Sequence, residues 1–198
     1  MTTNALDGLL YIRDGFTSAR WNFPDAVGSS LAAPAGIGNA VDITYSFPAA
    51  APAYYTSLSG FTPFDVAQIQ ATQSVLSVIE EIIGIEFIET AGVGQITFAN
   101  SSQPSGTGGY AFSPGYSYTY SGSTILAVTE YPQSGDVWLN GTIQRNSGDW
   151  APGGDGYSTL LHEIGHALGL KHPFAASAEG FVLDSSLDDE RHTVMSYT

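Results

Sequence analysis

The chain has 198 residues, 43% of them hydrophobic and 12% aromatic, which is enough apolar material for a packed interior and too much for wholesale disorder. Charged residues make up only 12%, and Lys+Arg total 5 against Asp+Glu 19, a formal net charge of −14. That balance excludes nucleic acid and anionic membrane as partners, because both are bound through basic patches. The absence of Cys excludes disulfides, thiolate metal sites and a cysteine nucleophile.

No apolar run approaches the length needed to span a membrane. Met1 to Phe16 has neither the positive n-region nor the long apolar h-region of a secretory signal. Leu6, Leu9, Leu10, Tyr11 and Ile12 form an apolar cluster that reads as a short helix or docked arm ending near Gly15. Residues 22–40, with Pro24, Gly28, Pro34, Gly36 and Gly38, read as an irregular loop. Val41 to Phe47 alternates apolar and polar side chains and predicts a strand, closed by Pro48. A long helix follows. Thr62 is placed to cap it, Pro63 suits its first turn, and Asp65 stands where a capping carboxylate belongs. Ile69, Val75, Leu76, Ile79, Ile82 and Ile83 supply its apolar face, and Gly84 its stop. Strands are expected at 85–88, 95–99, 124–129 and 136–139, with Tyr110-Ala111-Phe112 after a Gly/Ser-rich turn at 105–109. A second helix spans about 157–168, and 173–191 is loop. The order implies an α+β layer fold with a mostly parallel sheet backed by two helices.

Chemistry concentrates in Leu161-His162-Glu163-Ile164-Gly165-His166-Ala167-Leu168-Gly169-Leu170-Lys171-His172, an H-E-x-x-H-x-x-G-x-x-H pattern. On a helix, His162 and His166 are offset by only ~40° around the axis and ~6 Å along it, so both imidazoles can reach one ion. Neutral imidazole suits Zn²⁺, and three protein ligands leave a position for water. Glu163 points aside from the ligand stripe, placed to take a proton from a zinc-bound water. Gly169 can adopt a positive φ and turn the chain so that His172 returns to the metal. The bland alternative, a helix with two partly buried histidines, accounts for neither Gly169 nor His172. Downstream, Thr193-Val194-Met195-Ser196-Tyr197 holds the only methionine beyond the initiator. A methionine there fits a tight turn beneath a metal.

These motifs resemble the metzincins, and Lys171-His172-Pro173 with Val194-Met195-Ser196-Tyr197 resembles their serralysin-like branch, peptidase family M10. Weaker likenesses extend along the chain, from Leu6-Asp7-Gly8-Leu9-Leu10 and Trp21, through Ile43 to Phe47, Phe61 to Gln70 and Gln95 to Asn100, to Tyr110-Ala111-Phe112 and Asp136 to Asn140. The resemblance implies a zincin-like catalytic domain over 1–198: 1–40 as arm and irregular loop, 41–172 as sheet, helices and zinc motif, and 173–198 as loop and Met-turn. It implies a secreted, monomeric zinc endopeptidase acting on proteins or peptides, with a protein inhibitor as a further partner. His162, His166 and His172 would be ligands, Glu163 the general base, and Tyr197 an extra ligand that swings away when substrate binds. The edge near Tyr110–Phe112 would pair with a substrate strand. Serralysins continue into calcium-binding repeats, whereas this sequence stops at Thr198, and the lone Gly153-Gly154-Asp155-Gly156 reads as a loop.

Alternatives stay open at several positions. The acidic residues Asp149, Asp155, Asp184, Asp188, Asp189 and Glu190 fit either solvated loops or a structural Ca²⁺ whose ligands the spacing does not assign. Residues 22–40 fit a surface loop or a cover over the cleft. His192 reads as a loop residue, and Trp21, Trp138 and Trp150 as core or loop anchors. Against the peptidase stand two other classes: a catalytically silent, zinc-stabilised adhesion or surface module, and a metal-free binding domain. The intact Glu163 argues against the first, since a scaffold has no use for a base.

Overall fold

The computed structural model describes residues 5–11, 19–176 and 181–198. In chain order, the regular elements are β1 (Val41–Ser46), β2 (Thr62–Pro63), α1 (Val66–Glu80), β3 (Ile85–Glu89), β4 (Ile96–Ser101), β5 (Gly109–Ala111), β6 (Tyr116–Ser121), β7 (Thr124–Glu130), β8 (Val137–Asn140) and α2 (Asp155–Ala167). The main sheet runs β3-β1-β4-β8-β5, with β2 pairing off this path onto β4. β1 is parallel to β3 and β4, and β4 to β8, while the edge strand β5 is antiparallel to β8. α1 packs against β3, and α2 against β5 and β8. The architecture is therefore the expected mixed one, a mostly parallel sheet with two helices.

Alternation explains β1: Ile43 and Tyr45 are buried, and Ile43 lies with Phe98, Val137 and Leu139 in the core between sheet and helices. β4 is buried along its whole length, as a central parallel strand should be. Residues 22–40 are mainly turns, but Phe23–Ala26 form a short 3-10 helix. Its Phe23 and Ala26 are buried against Tyr116 and Ile125, so the segment packs on the separate β6–β7 hairpin. Ala5–Leu9 is also a 3-10 turn, and the expected end of the arm at Ile12 to Gly15 lies outside the described residues.

α1 begins later than the sequence suggests. Asp65, not Thr62, is the cap: its carboxylate accepts from the Gln68 N–H at 2.8 Å, and the Gln68 side chain accepts from the Asp65 N–H in return. Thr62 and Pro63 instead form β2 on the edge of β4. The helix stops at Glu80, which leaves Ile82 74% exposed beyond the apolar face it was expected to extend. Gln68 also exchanges amide hydrogen bonds with Asn100 at 2.8 and 3.1 Å, anchoring the helix start to β4.

Trp21, Trp138 and Trp150 are all buried. Trp21 donates its indole N–H to Ala167 C=O at the end of α2. Beside Trp138, the fully buried Asp136 accepts from the Thr97 N–H and from the hydroxyls of Tyr54 and Tyr55, each at 2.9 Å. Burial pushes this carboxyl up to about 6, and the hydrogen bonds offset only part of the shift. A folded-state pKa above the unfolded one favours folding fully at low pH, and that contribution is lost as pH rises through about 6. Asp136→Asn removes the titration. The stability of the wild type relative to this variant should therefore fall by on the order of 2–3 kcal/mol from about pH 4 to about pH 7. Urea unfolding across that range measures it, and parallel curves would contradict the assignment.

Candidate active site

α2 turns Leu160, Ile164 and Ala167 into the core, which sets His162 and His166 on the adjoining stripe. The His162 Nδ1 lies 2.7 Å from Val194 C=O, and the His166 Nδ1 2.8 Å from Leu170 C=O. A carbonyl only accepts, so both Nδ1 atoms carry the proton and both Nε2 atoms present lone pairs. The helix ends in a Schellman turn: Gly169 N–H donates to His166 C=O and Leu170 N–H to Gly165 C=O, both at 2.9 Å. Gly169 has φ +100°, as the turn requires, and a Cβ there would stand 2.3 Å from Ala19 C=O. The same turn delivers His172. Its Nε2 sits 3.2 Å from that of His162 and 3.1 Å from that of His166. Two nitrogens bound tetrahedrally to one Zn²⁺ at their usual ~2.0–2.1 Å would stand ~3.4 Å apart. The trio therefore fits such an ion without large rearrangement, and it could bind one.

The electrostatics agree. Burial holds His162 and His166 below the ordinary imidazole range, and burial with the neighbouring imidazoles brings His172 down to about 4. All three are thus neutral at neutral pH, the form that binds metal. The lone pairs of His162 and His166 both face the His172 Nε2, so the three nitrogens converge on a point suited to something positive.

Glu163 is buried, and its Oε2 has no hydrogen-bond partner among the described residues. Burial pushes its carboxyl up to about 8. The side chain lies against β5, where a Cβ at Gly109 would be only 3.0 Å from Glu163 Cγ. Asn140 N–H donates to Gly108 C=O and Phe112 N–H to Asp136 C=O, so by alternation Gly109 and Ala111 turn their backbone groups to the open edge. Cavities of about 660 and 470 Å³ flank Glu163 and Tyr197. The larger is lined by Gly106–Gly108 and Thr159, the smaller by Tyr11, Tyr110, Phe112 and Leu170.

Met195 is buried beneath this cluster, and a Cβ at Gly165 would lie 2.5 Å from its Sδ. Gly165 therefore makes the room that lets the 193–197 turn close on α2, which in turn brings Val194 C=O to His162. The Tyr197 hydroxyl reaches 2.6 Å from His172 Nε2, with its ring stacked at 5.4 Å on His162, yet the residue is 63% exposed. Burial and the nearby Glu163 raise its pKa, so the phenol keeps its proton. The structure thus brings His162, Glu163, His166, His172 and Tyr197 together.

Of the acidic residues, Asp184 and Asp189 accept hydrogen bonds within their own turns, and Asp155 pairs with Arg145 at 3.2 Å. Among the described residues, only the histidine trio forms a His/Asp/Glu group close enough to hold a metal. His192 is a loop residue bonded to Asp189. The sequence reading missed Gly109, Gly165 and the buried Lys171. A glycine inside a helix (about 1 kcal/mol worse than alanine) and a lysine inside an apolar run were the available signals.

No family model matches the chain. It is 31% identical to metallopeptidase AprA of Pseudomonas marginalis, over 67% of this chain and 27% of that protein. It is 31% identical to a serralysin of Proteus mirabilis, over 81% of this chain and 34% of the relative. With a serralysin of Photorhabdus laumondii the identity is 32%, over 71% and 28% of the two chains. The chain thus spans about a third or less of the length of these curated relatives. Over that span its sequence is serralysin-like, which supports a relationship to the metalloproteases.

Proposed function

We propose that the chain is the catalytic domain of a secreted zinc endopeptidase of the metzincin type, serralysin-like and of peptidase family M10. The observation that carries the reading is the convergence of three imidazole Nε2 atoms beside a buried carboxylate oxygen with no partner among the described residues. His162, His166 and His172 would hold the ion, with the 193–197 segment as the Met-turn beneath them. A bound Zn²⁺ would supply Lewis acidity to the scissile carbonyl and to a water molecule.

The chain's own groups do the rest. Glu163 takes the proton of the attacking water on its unpartnered oxygen and returns it to the departing amine. The Tyr197 phenol, protonated and close to the trio, turns its hydrogen bond from His172 to the oxyanion that develops on the carbonyl. Gly109 and Ala111 pair with the substrate as an added antiparallel strand. That direction lays residues before the scissile bond along Tyr110 to Ser113, in the smaller cavity. Residues after it lie along Gly106 to Gly108, in the larger one.

Two measurements test the reading. The purified chain should bind one zinc and cleave casein or a quenched peptide in a reaction blocked by phenanthroline. Tyr197→Phe should lower kcat by about 10²–10³-fold with little change in KM, the effect of losing one oxyanion donor. A zinc-loaded chain that leaves casein and mixed peptides intact would refute the peptidase assignment.

A further inference from the structure

The stretch that carries His172 is gripped from its outer side by the chain's own N-terminal arm. Leu10 and Leu170 form an antiparallel bridge. Tyr11 N–H donates to Gly169 C=O at 3.0 Å, and Lys171 N–H to Leu9 C=O at 2.8 Å. Between arm and stretch lies Lys171, only 3% exposed. Its ammonium donates to Gly8 C=O, to Ala175 C=O at 2.6 Å and, at 3.5 Å, to His172 C=O. One charge thus ties together the arm, the backbone of the third histidine and the segment beyond it. Gly8 is wedged in turn against the next layer, where a Cβ would stand 2.5 Å from the Leu183 backbone nitrogen.

Two features give this arrangement a role beyond packing. Burying an ammonium is costly, and this one is buried among carbonyls alone. A methionine would span the same distance without that cost, but it could not hold three carbonyls. The gripped stretch also sets two of the three imidazoles. It carries His172 itself, and its Leu170 C=O fixes the Nδ1 proton of His166. Groups that orient ligands from behind govern how tightly an ion is kept.

We propose that Lys171 is a positioning residue that couples docking of the N-terminal arm to retention of the metal. This rests on the reading above that His162, His166 and His172 hold zinc. Such coupling is reciprocal: the factor by which the docked arm tightens zinc binding is the factor by which zinc tightens the arm.

The test uses the full chain. Zinc affinity is measured by competition with a chelating indicator for the wild type, Lys171→Met and Gly8→Ala. Hydrogen exchange of the Tyr11 and Lys171 amides is followed with and without zinc. Lys171→Met should weaken zinc binding by about 10–100-fold, the usual range for a group behind the ligands. Gly8→Ala leaves the lysine in place but forces the arm off Leu183, and should shift affinity in the same direction. Zinc should slow exchange of both amides in the wild type and much less in Lys171→Met, a dependence that simple packing would not produce. Wild-type zinc affinity in both variants overturns the coupling alone, as does wild-type exchange indifferent to zinc. If Lys171→Met does not fold, Gly8→Ala and the wild-type exchange decide. A wild type that binds no zinc overturns the metal-site reading and the coupling with it.

Discussion

Glu163→Ala is expected to keep the zinc and lose about 10²–10⁴-fold in kcat, the range supplied by a positioned general base. The carboxylate is not part of the histidine trio, so removing it leaves the three Nε2 atoms where they are. Its burial decides how it works. Desolvation alone pushes the carboxyl up to about 8, which would keep it protonated and useless as a base at neutral pH. A nearby dication favours the ionised form, so in the proposed mechanism the carboxylate would serve as a base only with the metal in place. Because Oε2 has no partner among the described residues, truncation leaves no stranded donor behind. The metal-free variant should unfold at the wild-type temperature or slightly above it. Glu163→Gln, which preserves the packing against Gly109, should lose turnover as fully as the alanine variant. Steady-state cleavage of a quenched peptide, with zinc content measured on the same samples, reads both quantities. Turnover within tenfold of the wild type in either variant would end the general-base assignment.

The histidine motif was legible in sequence because its geometry is local. Spacing alone puts His162 and His166 on one stripe, and the turn at Gly169 follows from the freedom of glycine at φ +100°. β1 and β4 were legible for a similar reason, since β-branched and aromatic residues alternate with polar ones at Val41 to Phe47 and at Gln95 to Phe98. The misses depended on distant partners. Tyr116–Ser121 alternates tyrosine with serine and threonine and is not among the strands expected from the sequence. It is a strand because Tyr116 buries its ring beside Phe23 and donates to Trp21 C=O, nearly a hundred residues back in the chain. The start of α1 was misplaced because Thr62 and Asp65 both qualify as caps. Pairing of Thr62 with Asn100 on β4 settled the choice. Lys171 and Gly165 carry no local signature of their roles. One needs Gly8 across the fold, and the other needs the sulfur of Met195.

Withdrawing zinc should lower the thermal midpoint by about 8–16 °C when the metal has been present at about a thousandfold over its Kd. A ligand at that excess contributes about 4 kcal/mol to the folded state, and a chain of this size shifts by roughly 2–4 °C per kcal/mol. The direction follows from the arrangement of protons. Val194 and Leu170 pin hydrogen on the far nitrogens of His162 and His166, so their near nitrogens turn lone pairs toward His172 Nε2 at 3.2 and 3.1 Å. A cation among them engages all three nitrogens at once without breaking a backbone hydrogen bond. An added positive charge from acid is a poor substitute, because His172 becomes an imidazolium only near pH 4 in this environment. A histidine whose folded pKa lies below its unfolded value favours folding at high pH and loses that contribution as pH falls through 6.5. Acid also competes for the metal's ligands. The gap between zinc-loaded and chelated midpoints should therefore be widest above pH 7 and close as pH drops toward 5. His166→Ala should show no gap at any pH. Coincident midpoints for loaded and stripped wild type at pH 7.5 would mean that the three imidazoles hold no ion, and that their closeness has another cause.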